Sequence, residues 1–143
     1  MTAAMSIAQA GGLNHVTLRC TAASLPALRA FYIESLGLSE GARPAFGFPG
    51  HWLYSLGRPI VHLAALLDEP AAPSTGPLDH ISFSASDLDG TRRRLKAGAI
   101  PFEEAPVPGW PLHQIFLTDP VGLRIELTFD VSEQGDVSEQ GHD

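Results

Sequence analysis

Three histidines and one glutamate hold matching positions in this chain of 143 residues. Leu13-Asn14-His15-Val16 recurs as Leu78-Asp79-His80-Ile81, so His15 and His80 open equivalent segments. His62 lies 47 residues after His15, and Glu126 lies 46 residues after His80. Imidazole and carboxylate together suit a divalent ion such as Mn, Fe, Co, Ni or Zn. A single strand histidine reads as an ordinary hydrogen-bonded residue, whereas an unpaired interior carboxylate is costly. Four such groups at repeat-equivalent positions point to one shared cation with His15, His62, His80 and Glu126 as its ligands.

Placing these groups falls to two copies of one structural unit. After the first histidine comes a helix signal: Ser24 as N-cap, Pro26 in the first turn, Leu28, Phe31, Tyr32 and Leu36 on one stripe, and Gly37 as the stop. After the second, Ser86 or Asp87 starts a helix with Leu88, Thr91 and Leu95 on its buried stripe, ending at Gly98. Strand-like segments follow each helix, at 39–46, 51–56 and 59–66, then at 101–105, 112–118 and 123–129. Each half therefore reads β-α-β-β-β, and neither half can bury a full core alone.

The expected fold is α+β, two paired βαβββ modules forming a curved eight-stranded half-barrel around a metal-type cavity. Residues 1–12 form a flexible N-terminus and 13–69 the first module. Residues 70–77 are a linker, 78–129 the second module, and 130–143 a disordered acidic tail. Strand alternation puts His15, Thr17 and Arg19 on one face of the first strand, and His80, Ser82 and Ser84 on one face of the strand opening the second half. It groups His62 with Ile60 and Ala64, and Glu126 with Arg124 and Thr128. The opposite faces, which include Val16, Leu18 and Cys20, are apolar and should seat the helices.

Composition narrows the function classes. The net charge is −7, and five acids of the tail (Asp130, Glu133, Asp136, Glu139 and Asp143) leave the rest of the chain at −2. Nine Lys and Arg with one basic run, RRRLK at 92–96, make no nucleic-acid surface. A lone cysteine, Cys20, excludes an intrachain disulfide and a thiolate zinc knuckle. No apolar stretch is long enough to span a bilayer and no signal segment opens the chain, so a cytoplasmic setting is expected.

The pattern resembles the vicinal oxygen chelate superfamily, which includes glyoxalase I, methylmalonyl-CoA epimerase, extradiol dioxygenases, fosfomycin-resistance enzymes and bleomycin-resistance proteins. The likeness covers residues 13–129 and rests on LNHVTLRC, the Phe31-Tyr32…Leu36-Gly37-Leu38 helix end, RPIVHLA, LDHISFSASDLD and FLTDPVGLRIELTF. It implies a paired βαβββ fold around a divalent metal that receives oxygen atoms of a small-molecule substrate. By position, His15, His80 and Glu126 match ligands shared by most of the metalloenzymes. His62 matches a fourth position that glyoxalase-like and epimerase-like members fill with Glu or Gln. Members are often homodimers, and the resemblance leaves open whether the site lies within one chain or across two.

Three functions fit this reading. A glyoxalase-like isomerase or lyase is favoured by the four-ligand count. An Fe(II) or Mn(II) ring-cleaving dioxygenase and a metal-free binding protein of the bleomycin-resistance kind are the alternatives. Glu126 doubles as ligand and catalytic base, with His113 as a catalytic acid/base group and His51 or Gln114 as substitutes. Arg19 and Arg124 either hold a substrate anion or pair with Glu126. Phe46, Phe48, Trp52 and Trp110 are expected to rim a pocket for an apolar or aromatic molecule.

Overall fold

The computed structural model describes residues 6–72 and 76–132. The first module runs β1 (Val16–Thr21), α1 (Leu25–Ala30), β2 (Ser39–Gly41), β3 (Gly50–Ser55) and β4 (Arg58–Leu67). The second runs β5 (His80–Ala85), α2 (Leu88–Ala97), β6 (Glu103–Pro106), β7 (Leu112–Thr118) and β8 (Arg124–Asp130). The strands divide into two four-stranded mixed sheets, ordered β1-β4-β3-β2 and β5-β8-β7-β6, neither closed into a barrel. First and last strands of each module pair in parallel, and the remaining pairs are antiparallel.

Alternation sets the two faces of each sheet. Val61 and Leu63 of β4, and Ile125, Leu127 and Phe129 of β8, join Cys20, Leu28, Tyr32, Leu53, Leu95 and Ile115 in one buried core shared by both modules. Burial on this apolar side pushes the Cys20 thiol up from its ordinary pKa. The other faces of the edge strands β1 and β5 expose Thr17, Arg19, Ser82 and Ser84.

The local chemistry departs from expectation at three points. The first helix widens into a π-helical turn over Phe31–Ser35 before Gly37 takes a left-handed φ of 78°. Ser24 makes no side-chain cap, and its backbone N–H is instead met by the Thr21 hydroxyl at 3.1 Å. Residues 42–49 form a loop, because β2 ends at Gly41, where the Tyr54 ring packs against the backbone and a Cβ would come within 2.6 Å of it. In α2, Asp87 supplies the cap by accepting from the Gly90 amide at 3.1 Å.

Asp130, the first residue of the expected tail, closes β8, while residues 133–143 of that tail, 73–75 of the linker and 1–5 of the N-terminus lie outside the described residues. No helix among the described residues is long and apolar enough to cross a membrane.

Candidate metal centre

Each module presents its first histidine in the same way. His15 Nδ1–H donates to Asn14 Oδ1 at 2.8 Å, and His80 Nδ1–H donates to Asp79 Oδ2 at 2.8 Å. A side chain one residue upstream thus engages Nδ1 of each ring and turns Nε2 outward, toward Glu126 in the case of His80. Backing of this kind is what metal-bound histidines carry, since it orients the ring and raises its basicity. The bond from His80 also holds the Asp79 carboxyl below its ordinary pKa.

In the second module, His80 Nε2 lies 3.2 Å from Glu126 Oε2. Ser82 pairs with Glu126 across the parallel β5–β8 register, so residue 80 is one side chain along the same face. Glu126 is only 7% exposed, and Gln114 Nε2 donates to its Oε1 at 3.1 Å. The same amide reaches Thr128 Oγ1 at 3.2 Å, and Thr128 bonds Ser82 at 2.7 Å. Arg124 Nε stands 4.0 Å from Glu126 Oε2 while its guanidinium covers the Phe116 ring at 4.5 Å. A lone-pair nitrogen and a braced carboxylate oxygen at this spacing fit two ligands of one divalent ion.

The first module differs. His62 is 9% exposed, and its ring stacks on Trp52 from β3 and on His15, with centroid separations of 3.9 and 3.8 Å. Its Nε2–H donates to the Pro59 carbonyl at 3.0 Å. Burial pushes the His62 pKa down, and the neighbouring His15 adds to that. Beyond Trp52, Phe46 and Phe48 stack on one another with Arg43 over both rings.

The expected groups are therefore only partly brought together. His80 and Glu126 meet, and His15 and His62 meet, but among the described residues no group of three or more His, Cys, Asp or Glu side chains converges. The two pairs belong to separate sheets whose first strands are both edges. Trp52 and Phe48 stand on the His62 side and Arg124 beside Glu126. Arg19 is exposed on β1, and Trp110 is 69% exposed in the turn between β6 and β7. A cleft of about 340 Å³ between the modules, lined by Glu34, Gly37, Ser84, Thr91 and Arg94 among others, touches none of the four donors.

His113 does not reach Glu126. It pairs in register with Phe129 on the helix-facing side, and its Nε2 is bonded to Glu104 at 2.7 Å. Gln114, one residue on, takes the place beside the carboxylate. The pairing of β7 with β8 separates them: Gln114 shares a face with Phe116, which pairs with Glu126. His51 is likewise on the helix-facing side, bonded to Glu40.

Two βαβββ modules, each with a histidine at or just before its first strand and a polar side chain on its last, define a duplicated α+β architecture. The chain belongs to the Glyoxalase/Bleomycin resistance protein/Dioxygenase superfamily, whose family model matches residues 12–127. Solved structures share the fold at low identity. A glyoxalase family protein from Bacillus anthracis superposes with a TM-score of 0.71 at 20% identity, covering 87% of this chain and 99% of that one. The fosfomycin resistance protein FosX from Listeria monocytogenes gives 0.64 at 19%, covering 88% and 98%. Lactoylglutathione lyase from Agrobacterium tumefaciens gives 0.60 at 18%, covering 84% and 94%. No curated protein matches the sequence.

Proposed function

We propose that this chain is a divalent-metal-dependent enzyme acting on a small oxygen-bearing molecule, with a glyoxalase-like isomerisation or lyase reaction as the first reading. The observation that carries the reading is the pair His80 and Glu126, whose Nε2 and Oε2 stand 3.2 Å apart with Asp79 backing the imidazole. The matching Asn14–His15 pair supports it. Mn, Fe, Co, Ni or Zn suits these donors. Such an ion, when bound, stabilises negative charge developing on a substrate carbonyl or hydroxyl oxygen.

The chain's own residues supply the rest. Glu126 would offer one carboxylate oxygen to the centre while Gln114 holds the other, and it would serve as the base for proton abstraction next to a substrate carbonyl on swinging off the ion. Trp52 forms an apolar wall, and Arg19 and Arg124 are placed to steer an anionic oxygen. His15 and the His80–Glu126 pair meet when two copies associate about a two-fold axis, so that each site takes one module from each chain. Two polar faces left at sheet edges, and donors parted between two sheets, support a homodimer of this kind.

The test is metal content by elemental analysis after loading, for the wild type and for His80→Ala. One ion per chain, lost in the variant, is expected; equal content in both rejects the site. His15→Ala and Glu126→Ala chains refolded together should regain about a quarter of the wild-type metal, because only mixed dimers hold an intact site. No recovery rejects the shared site.

A second reading, a ring-cleaving dioxygenase, is favoured by the two-histidine, one-carboxylate composition of His15, His80 and Glu126. Anaerobic loading with Fe(II), followed by oxygen and a catechol, yields a yellow ring-fission product under that reading alone.

A further inference from the structure

The geometry points to His62 as a positioning residue, the middle plate of a three-ring stack that orients His15, and not as a metal ligand. This rests on the reading of His15, His80 and Glu126 as metal donors. An imidazole binds an ion through a lone pair in its own ring plane, with the ion about 2 Å from the nitrogen. The His15 and His62 rings are stacked with centroids 3.8 Å apart and planes inclined by only 13°. Planes so close to parallel do not intersect within bonding reach of either ring. The two histidines therefore cannot both aim a lone pair at one ion.

Three further contacts decide which of the two is the ligand. His62 donates its Nε2 proton to the Pro59 carbonyl, whereas among the described residues His15 makes its side-chain hydrogen bond at Nδ1, to Asn14, in the arrangement repeated at Asp79–His80. The other side of the His62 ring is covered by Trp52, with centroids 3.9 Å apart and planes at 11°. The sheet order explains the sandwich, since β4 lies between β1 and β3 and receives one ring from each side. Glu126, at the corresponding place in the second module, instead meets the Nε2 edge of His80. The site accordingly holds three protein donors, and the Trp52–His62 pair fixes the ring of the first.

The test compares Zn(II) stoichiometry and affinity in the full-length wild type, His62→Phe, His62→Ala and His15→Phe. Phenylalanine keeps the plate, so His62→Phe should bind like the wild type, whereas His62→Ala should weaken binding about 10-fold, the loss that follows when support behind a ligand is removed. His15→Phe should abolish it. His62→Phe losing metal to the same extent as His15→Phe overturns the proposal while leaving the metal centre standing. A wild type that takes up no ion overturns both readings. The wild type alone gives a second measurement. Pulsed EPR of its Cu(II) form should count two coordinated imidazoles, from His15 and His80, and a count of three rejects the assignment.

Discussion

The Tyr32 hydroxyl donates to Asp119 Oδ2 at 2.7 Å, joining the π-helical turn of the first module to the β7–β8 turn of the second across 87 positions of sequence. Both residues are buried. The other Asp119 oxygen accepts the backbone N–H groups of Val121 and Leu123 at 2.9 and 3.0 Å, which shapes the Asp-Pro-Val-Gly turn leading into β8. Burial, the charge of Asp119 and this bond all push the Tyr32 pKa up, so the phenol stays a donor. Asp119 thus ties the turn that leads into the strand carrying Glu126 to the first module.

Tyr32→Phe removes that donor and leaves a buried carboxylate oxygen unmatched. The expected loss is about 2 kcal/mol of unfolding free energy, within the range for a hydrogen bond to a charged group. Urea denaturation at neutral pH measures it. Metal content per folded chain should not change, because neither residue touches the donors. A variant as stable as the wild type would mean that the modules dock independently of this bond.

Each module also carries an Arg–Glu–His cluster on its helix-facing side. Glu40 receives Arg29 and His51, and Glu104 receives Arg92 and His113. In both, the histidine lies two residues before the one paired with the glutamate. Burial alone would raise both carboxyls, but the bonds from arginine and histidine outweigh it and hold each below the ordinary value of 4.5. A depressed folded pKa adds stability above the ordinary glutamate value, and that part is lost as pH falls through the lower folded value. Glu104→Gln should therefore lower the urea midpoint at neutral pH, and the gap to the wild type should close as the pH falls through the lowered folded value of the carboxyl. A gap independent of pH would show that the ionised carboxylate is not what stabilises the cluster. His113→Gln should likewise leave metal content intact, since His113 lies on the side away from Glu126.

Much of this architecture was legible because duplication and alternation are written directly in residue order. LNHV against LDHI located both histidines, and the period of two in RIELTF put Glu126 on the face away from Ile125 and Leu127. His113 shows where that reading stops. Leu112-His113-Gln114-Ile115-Phe116-Leu117 is apolar on both alternations, so only pairing with β8 reveals that Gln114, not His113, adjoins the carboxylate. The stacking of His62 was hidden for a related reason. It depends on β4 lying between β1 and β3, and strand order is a tertiary fact that no local pattern encodes. Whether the four donors converge within one chain or across two was not written in the residue order either, because it depends on how the halves dock, and this chain docks its own two through their apolar faces.

Gly50 begins β3 just before His51 and Trp52, opposite Ala64. A Cβ there would lie 2.3 Å from the Leu63 carbonyl oxygen and 3.0 Å from the Arg43 guanidinium. The carbonyl belongs to a central strand and cannot swing aside as a side-chain tip would. Gly50→Ala should therefore cost about 1–3 kcal/mol, as overpacking does. Gly47→Ala, three residues earlier with nothing within 4 Å of the added methyl, is the matched control and should be neutral. Thermal unfolding of the two variants side by side makes the comparison, and equal melting temperatures would refute the tight approach of β3 to β4.

Gln114 offers the sharpest test of how the carboxylate is held. Its amide donates to Glu126 Oε1 at 3.1 Å while Glu126 Oε2 faces His80, so the carboxylate is braced on one oxygen and free to bind on the other. Removing the brace in Gln114→Ala leaves the donor set complete but lets the carboxylate turn. Metal affinity should fall about 10-fold with stoichiometry unchanged, the pattern of a lost supporting bond. Glu126→Gln should lose the ion itself, because a neutral amide oxygen is a poor substitute for a charged ligand. Competition with a chelator of known affinity separates the two outcomes. If Gln114→Ala and Glu126→Gln weaken binding equally, Gln114 is itself a ligand, and the face of β7 that looks toward the metal contributes a donor of its own.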